Sequence, residues 1–221
     1  VNMKDFVPSQ DEIPSLEASP ECPTILIIGT SMSCGKSCTA RVAIRSLQEM
    51  GIPNVVAAKL TGAGYHNDIL GFSDAGATAV LDFVDAGLPS TVLPEEDYLK
   101  ALQKLFGMMD KCRPEILVIE AGASPCESYN GEVVLKAFAN HRKLFVILCA
   151  SDAYAVTGAT EHLKTLGIRP DLVTGIIANT VAGRDLALEM NDIPASSLNS
   201  DRAVEEFMEL MRKKLGLKAS R

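Results

Sequence analysis

The stretch best suited to chemistry runs from residue 24 to residue 40 and reads TILIIGTSMSCGKSCTA. An apolar segment leads into a glycine-containing loop, after which Gly35, Lys36 and Ser37 begin a predicted helix. Backbone N–H groups of such a loop can converge on phosphate oxygens, the lysine can reach the β- and γ-phosphates, and the next hydroxyl can hold Mg²⁺. A strand-to-helix turn with an incidental lysine is the alternative interpretation. The residues expected to contact a bound nucleotide here are Gly29, Thr30, Ser31, Met32, Ser33, Cys34, Gly35, Lys36, Ser37 and Cys38.

This loop is longer than the usual phosphate-binding loop. The usual form is G-x-x-x-x-G-K-[ST], with four residues between its glycines. Here five residues, from Thr30 to Cys34, separate Gly29 from Gly35. The apolar run before the loop and the helical pattern after it are the context that a phosphate loop requires, so a variant loop is favoured over a chance match.

Two charged residues stand at the ends of other apolar runs. Lys59 follows VVAA, and Glu120 follows ILVI. A lysine at a strand end can neutralise charge that develops on a phosphate or carbamate group. A carboxylate directly after a buried strand is the Walker-B arrangement, which holds Mg²⁺ directly or through water. The alternatives are an ordinary solvated lysine and an ordinary acid at a strand end.

Two further polar residues are candidates for the same site. Asp74, in the run Ser73-Asp74-Ala75, is a candidate Mg²⁺ ligand, but it could equally be an N-cap or first-turn acid of the next predicted helix. Asp68 is a nearby alternative acid. Asn179 follows the last apolar run, where its amide could both donate to and accept from a nucleotide base, or simply form a turn. The N-K-x-D pattern that reads guanine is absent, which favours adenine.

The elements that must position these residues form an alternating pattern. Strands covered on both faces are predicted at 24–28, 54–60, 115–119, 143–150 and 172–178, with a weaker edge strand at 90–93. Helices are predicted at 36–50, 74–86, 95–111, 153–166 and 201–215. Alternation of this kind indicates an α/β fold in which helices cover both faces of a mainly parallel central sheet. Ligands bind such sheets at the carboxyl ends of the strands, where all the candidate residues fall.

Composition narrows the classes of partner. The net charge of −7 argues against nucleic acid or an anionic membrane as the main partner, and no apolar run is long enough to span a bilayer. Six cysteines without a C-x-x-C pair favour reduced thiols and a cytoplasmic location. Residues 1–22 are expected to be a flexible acidic tail or interdomain linker, and residues 23–221 a nucleotide-binding domain.

The motifs together resemble dethiobiotin synthetase and its relatives, from about residue 24 to about residue 180. The loop of that family has the form G-T-x-x-x-x-G-K-[ST], and Thr30 matches its threonine. The family segments K-P-x-x-[TS]-G, S-D-A, V-E-G-A-G-G and G-x-x-x-N are similar to the segments around Lys59, Asp74, Glu120 and Asn179. The chain is also similar to a group of two-domain P-loop proteins with D-glutamate N-acetyltransferase-like members.

The chain departs from the family at three points. Leu60 replaces a proline, the loop after Glu120 reads Ala121-Gly122-Ala123-Ser124, and the segment between the loop glycines lacks an acidic residue. The loop after Glu120 helps form the substrate site in the relatives, so these differences bear on the identity of the substrate. Cys126 and Tyr129 are candidates to line that site, and His162 is predicted to lie on the surface.

The resemblance implies a three-layer P-loop NTPase fold and an ATP- and Mg²⁺-dependent, ligase-like enzyme that activates a small carboxylate or carbamate substrate by phosphoryl transfer. Lys36 and Lys59 would be catalytic, Ser37, Asp74 and Glu120 would hold the metal, and Asn179 would contact the base. A homodimer is common in the family. Two alternatives stay open: a nucleotide-dependent switch or metallochaperone-type NTPase that acts on a protein partner, and the nucleotide-binding domain of a larger two-domain enzyme.

Overall fold

The computed structural model of the protein describes residues 22–217. The predicted tail or linker therefore lies outside the described residues, apart from Cys22. The strands are β1 (Thr24–Gly29), β2 (Val55–Thr61), β3 (Ala79–Asp82), β4 (Ile116–Ala121), β5 (Leu144–Cys149) and β6 (Leu172–Thr174). The helices are α1 (Lys36–Glu49), α2 (His66–Asp74), α3 (Glu95–Lys111), α4 (Gly131–Phe138), α5 (Ala153–Thr165), α6 (Val181–Asn191) and α7 (Asp201–Leu215), with a 3₁₀ helix at Ile176–Asn179.

The six strands form one sheet in the order β3-β2-β4-β1-β5-β6, and every neighbouring pair is parallel. The predicted α/β architecture with a parallel sheet is confirmed. Parallel strands need crossover connections, and here each is supplied by helices or long turns between strands. The carboxyl ends of all six strands consequently meet at one edge of the sheet, where the candidate residues lie.

Each face of the sheet is covered, so β1 is apolar from Ile25 to Ile28. Ile25 and Ile27 pack on one face into a core that includes residues of α1 and α7. Leu26 and Ile28 pack on the other face into a larger core with residues of α3, α4 and α5. Because successive strand side chains point to opposite faces, only a nearly continuous apolar run can fill both cores.

The region after β2 differs from the prediction. The predicted helix at 74–86 is wrong: the helix is α2, which ends at Asp74, and the chain then forms β3. Gly76 ends the helix with a φ of +106°, and its N–H donates to the Ser73 carbonyl. The edge strand is accordingly β3, which pairs with β2, and the strand predicted at 90–93 is wrong.

The end of β6 and two short helices also differ from the prediction. β6 ends at Thr174 because Gly175, with a φ of +90°, turns the chain into the 3₁₀ helix, so the strand predicted at 172–178 is too long. α4 and α6 were not predicted, and both are short, eight and eleven residues respectively. Between residues 22 and 217, no helix is both long and apolar enough to cross a bilayer.

Candidate nucleotide site

The loop between β1 and α1 folds back over the lysine that follows it. Lys36 Nζ donates to the Ser31 carbonyl at 2.7 Å, and the Lys36 side chain is buried. The Thr30 N–H donates to the Cys149 carbonyl at 3.0 Å, which attaches the start of the loop to β5. Ser33 has a φ of +59° and Gly35 a φ of +109°, so the chain turns through the left-handed region before α1 begins. This backbone path leaves a turn into which a phosphate group could bind.

The start of α1 suits an anion. Gly35 is the N-cap residue, and no side chain caps the helix. The N–H groups of the first turn carry the positive end of the helix dipole and need an acceptor. A phosphate group bound in the loop would be such an acceptor.

Two glycines are required by the close packing of this loop. A Cβ added to Gly29 would lie 2.5 Å from Cys34 Sγ and 2.7 Å from Lys36 Cδ. A Cβ added to Gly175 would collide with the Cys34 carbonyl oxygen and lie 3.0 Å from the Ala150 nitrogen. The turn after β6 therefore packs against the phosphate loop, and Cys34 is buried at that contact.

Glu120 lies under the start of α1, in register with Ile27 of β1 and Lys59 of β2. Its side chain is only 2% exposed. Ser37 Oγ donates to Glu120 Oε1 at 3.3 Å, whereas Glu120 Oε2 is buried and makes no hydrogen bond. Burial raises the pKa of Glu120, and the nearby ammonium groups of Lys59 and Lys36 oppose that rise. A bound cation would give this buried carboxylate oxygen the partner that it lacks.

Lys59 forms an ion pair with Asp68, which lies in the first turn of α2. Both side chains are largely buried, at 10% and 18% exposed. The sequence singled out Lys59, but it offered Asp68 only as an alternative to Asp74. A helix that begins at His66 brings Asp68 to the strand end, so this acid faces Lys59.

Asp74 lies elsewhere. As the last residue of α2 it is exposed, and it lines a groove between α1, α2 and α7 together with Arg41 and Met208. The expectation that it opens a helix is wrong, because that helix ends there. Asp68, and not Asp74, lines the cavity beside the phosphate loop.

A cavity of about 460 Å³ brings most of the predicted residues together. It is bounded by the phosphate loop, the ends of β2 and β4, and the loop that follows β4. The polar and ionisable side chains on its walls include Lys36, Ser37, Lys59, Asp68, Glu120 and Tyr129. Tyr129 thus lines this cavity as expected, whereas Cys126 lines a different one.

A second cavity, of about 290 Å³, lies on the other side of the loop. Gly35, Cys38 and Thr39 form one wall, and Asn179 at the end of the 3₁₀ helix lines another. The opposite wall contains Ser197 and Asn199, which the sequence analysis missed. These residues follow Ala195, which pairs with Val173 of β6 and so extends the sheet edge. The segment ASSLNS has no periodicity or motif that would have marked it.

The donor set fits a magnesium ion better than a transition metal. In the part of the chain from 22 to 217, no group of three or more His, Cys, Asp or Glu side chains could hold a metal ion. Mg²⁺ is commonly bound by one or two protein ligands together with substrate phosphates and water. Ser37 Oγ and the unpaired Glu120 Oε2 could serve as two such oxygen ligands.

Solved structures share this fold at low sequence identity. The hydrogenase maturation factor HypB from Archaeoglobus fulgidus superposes with a TM-score of 0.51 at 13% identity, covering 88% of this chain and 91% of that chain. Chloroplast FtsY from Physcomitrella patens superposes with a TM-score of 0.53 at 10% identity, covering 95% and 70%. No protein-family model and no curated protein matches the chain. The likeness establishes that the chain has the fold of P-loop NTPases.

Proposed function

We propose that the protein is a Mg²⁺- and ATP-dependent enzyme that activates a small carboxylate or carbamate substrate by phosphoryl transfer. The observation that carries the proposal is the hydrogen bond between Ser37 and the buried Glu120, whose Oε2 is unpaired, in one cavity with the Lys59–Asp68 pair. One pair suits a metal ion at the phosphates, and the other offers a cation for a substrate anion. The resemblance of the motifs to dethiobiotin synthetase supports the same reaction class.

The nucleotide would lie across the loop between the two cavities. Its phosphates would accept hydrogen bonds from the backbone N–H groups of 29–37. Lys36 Nζ would leave the Ser31 carbonyl and donate a hydrogen bond to the γ-phosphate instead. The base would enter the cavity lined by Asn179, Ser197 and Asn199. Amide and hydroxyl side chains in this cavity can both donate hydrogen bonds to a base and accept them from it. Among the described residues that line the cavity there is no carboxylate to accept the two N–H groups of guanine. This composition supports adenine over guanine.

Ser37 and Glu120 would hold Mg²⁺, which would neutralise phosphate charge when bound. The ammonium group of Lys36 would offset charge on the transferred phosphoryl group. Lys59 would exchange part of its pairing with Asp68 for a substrate carboxylate, which would orient the substrate towards the phosphates. Tyr129 and Gly122 line the wall on the side where the substrate would enter.

The first step, phosphoryl transfer, needs only ATP and the substrate acid. A carboxylate oxygen of the substrate forms a bond to the γ-phosphorus, and the bond from that phosphorus to the β,γ-bridging oxygen breaks. The electron pair leaves on ADP, and the product is a mixed carboxylic–phosphoric anhydride. A nucleophile then opens this anhydride and releases phosphate, which completes a ligase-type reaction.

The test is a screen of small carboxylic acids for stimulation of ADP release from ATP and Mg²⁺. Hydroxylamine is included in each reaction because it converts an acyl phosphate into a hydroxamate that can be quantified. We expect one acid class to stimulate ADP release with equimolar hydroxamate, and Lys59→Met to lower the rate at least tenfold. ADP release that no acid stimulates, with no hydroxamate formed, would refute acid activation.

The alternative function is a nucleotide-dependent switch that acts on a protein partner. The fold-level likeness to HypB, a hydrogenase maturation factor that the chain matches over most of its length, favours this candidate. The neutral segment between Gly29 and Gly35, which lacks an additional lysine, argues against it. Hydrolysis that needs no small acid but rises when a protein partner is added would support the switch.

A further inference from the structure

A third cavity, of about 180 Å³, lies on the side of Thr30 away from α1. The ends of β1 and β5, the loop after β4 and one face of α5 enclose it. Ile28, Leu148 and Leu163 form its floor, and each is at most 1% exposed. The proposed acid substrate does not use this space, although Gly29 and Thr30 of the phosphate loop line it.

One face of α5 is shaped around the cavity. Ala155, Gly158, Ala159 and His162 line it, and their spacing of three and four residues places them on the same side of the helix. Glycine is the least favourable residue in a helix interior after proline. A Cβ added at Gly158 would meet no atom within 4 Å, so close packing within the protein does not explain this glycine. Its open space belongs to the exposed mouth of the cavity.

The polar groups around the cavity are few. The Thr30 side-chain oxygen is shielded from solvent and has no hydrogen-bond partner, so it would gain from a ligand that supplies one. His162, predicted to be a surface residue, lines the cavity with its Nε2 3.2 Å from Glu132 Oε1. His162 thus faces Glu132, and no Asp, Glu, Lys or Arg side chain lines the cavity to bind an ionic ligand.

We propose that this cavity is a binding site for a small, uncharged cyclic or aromatic compound that carries one hydroxyl group. An apolar cavity of roughly 150 Å³ can hold a benzene molecule, so the volume admits a six-membered ring with one substituent. The ring lies on Ile28, Leu148 and Leu163 and passes over Gly158, and the hydroxyl group forms a hydrogen bond with Thr30 Oγ1. The site lies beside the proposed phosphoryl-transfer site and shares Thr30 with the loop proposed to bind the phosphates.

The test is an NMR titration of the full chain with phenol, which follows the backbone amides of Thr30 and His162. We expect saturable shifts in the wild type and at least tenfold weaker binding in Gly158→Leu, whose side chain fills the mouth. Glu161→Leu places the same side chain at an exposed position of α5 outside the cavity and should bind phenol within twofold of the wild type. The absence of a saturable shift in the wild type, or equal binding by Gly158→Leu, would overturn the proposal.

A second pair of measurements tests the site without relying on that variant. Cys126 is exposed at the cavity and Cys38 is exposed elsewhere, so phenol should slow the alkylation of Cys126 by iodoacetamide and leave Cys38 unchanged. Thr30→Val keeps the shape of the side chain, and it should weaken phenol about fivefold but leave toluene, which has a methyl group in place of the hydroxyl, unaffected. Equal alkylation of Cys126 with and without phenol would contradict the site, and equal loss of both ligands would contradict the role of Thr30.

Discussion

The contact between the turn after β6 and the phosphate loop leads to a quantitative prediction for Gly175→Ala. Gly175 has a φ of +90° and a ψ of −154°, a conformation that essentially only glycine adopts, so an alanine held there costs at least the roughly 1–2 kcal/mol of the left-handed region. The new methyl group would also collide with the Cys34 carbonyl oxygen and lie 3.0 Å from the Ala150 nitrogen, both of which are backbone atoms. Displacement of well-packed atoms of this kind costs about 1–3 kcal/mol. The substitution should therefore lower the free energy of unfolding by about 2–5 kcal/mol.

Gly167→Ala is the matched control. Gly167 also has a positive φ, of +74°, but a Cβ added there meets no atom within 4 Å. Only the conformational cost of roughly 1–2 kcal/mol should remain. The difference between the two variants, about 1–3 kcal/mol, then measures the steric contact together with the additional conformational cost at Gly175.

Urea unfolding followed by circular dichroism measures both variants under the same conditions. With a denaturant slope of about 2 kcal/mol/M, the predicted difference corresponds to a shift of roughly 0.5–1.5 M between the two midpoints. Gly175→Ala should also weaken ADP binding, because Cys34 belongs to the loop that we propose binds the phosphates. Equal midpoints for the two variants would refute the inference that this turn supports the loop.

Three further predictions concern the charged and polar residues of the site. Because burial raises the pKa of Glu120 above its ordinary 4.5, the folded state holds that proton more tightly, and the free energy of unfolding falls as the pH rises from 4.5 through the folded-state pKa. Glu120→Gln should abolish that fall, which urea unfolding at several pH values between about 5 and about 8 measures. An equal dependence of the free energy of unfolding on pH in the variant and the wild type would contradict this prediction. Lys59→Met and Asp68→Asn should couple by about 1–2 kcal/mol in a double-mutant cycle of unfolding, and additive losses would show that their ion pair is not significant. Asn179→Ala should weaken ADP about fivefold in calorimetry yet change stability by less than about 0.5 kcal/mol, since the side chain is exposed.

The central strands and the phosphate loop were predictable because each depends on a local pattern. β1, β4 and β5 are nearly continuous apolar runs, which only a strand buried on both faces requires. The proximity of Lys59 to Glu120 follows from the same argument, since both end neighbouring parallel strands. The position of both residues therefore required no knowledge of side-chain packing.

The acid that faces Lys59 could not be chosen from the sequence. The stretch from 66 to 86 contains Gly71 and Gly76, and its periodicity permits a helix on either side of Gly76. The pairing of β3 with β2 decides between them, and that pairing is a long-range contact that no local pattern encodes. The earlier helix makes Asp68 the neighbour of Lys59 and leaves Asp74 exposed in another groove.

The second wall of the proposed base cavity was hidden for a similar reason. Ser197 and Asn199 lie in an irregular segment that is positioned by the bridge between Ala195 and Val173 and by Leu198, which is buried with a φ of +52°. A segment without periodicity gives no signal of what it contacts. The bridge to β6, a long-range contact, is what places this segment in the same cavity as Asn179.

The most direct measurement of the central claim is calorimetric titration of the protein with ADP in the presence of Mg²⁺, repeated with GDP. We expect the wild type to bind ADP more tightly than GDP, and Lys36→Ala to lose at least about tenfold in ADP affinity, because it removes a charged hydrogen-bond donor. Arg41→Ala, which removes an exposed cation one helical turn further along α1, should bind ADP within twofold of the wild type. No ADP binding by the wild type, or equal affinity in Lys36→Ala, would contradict the assignment of residues 29–38 as a nucleotide phosphate site.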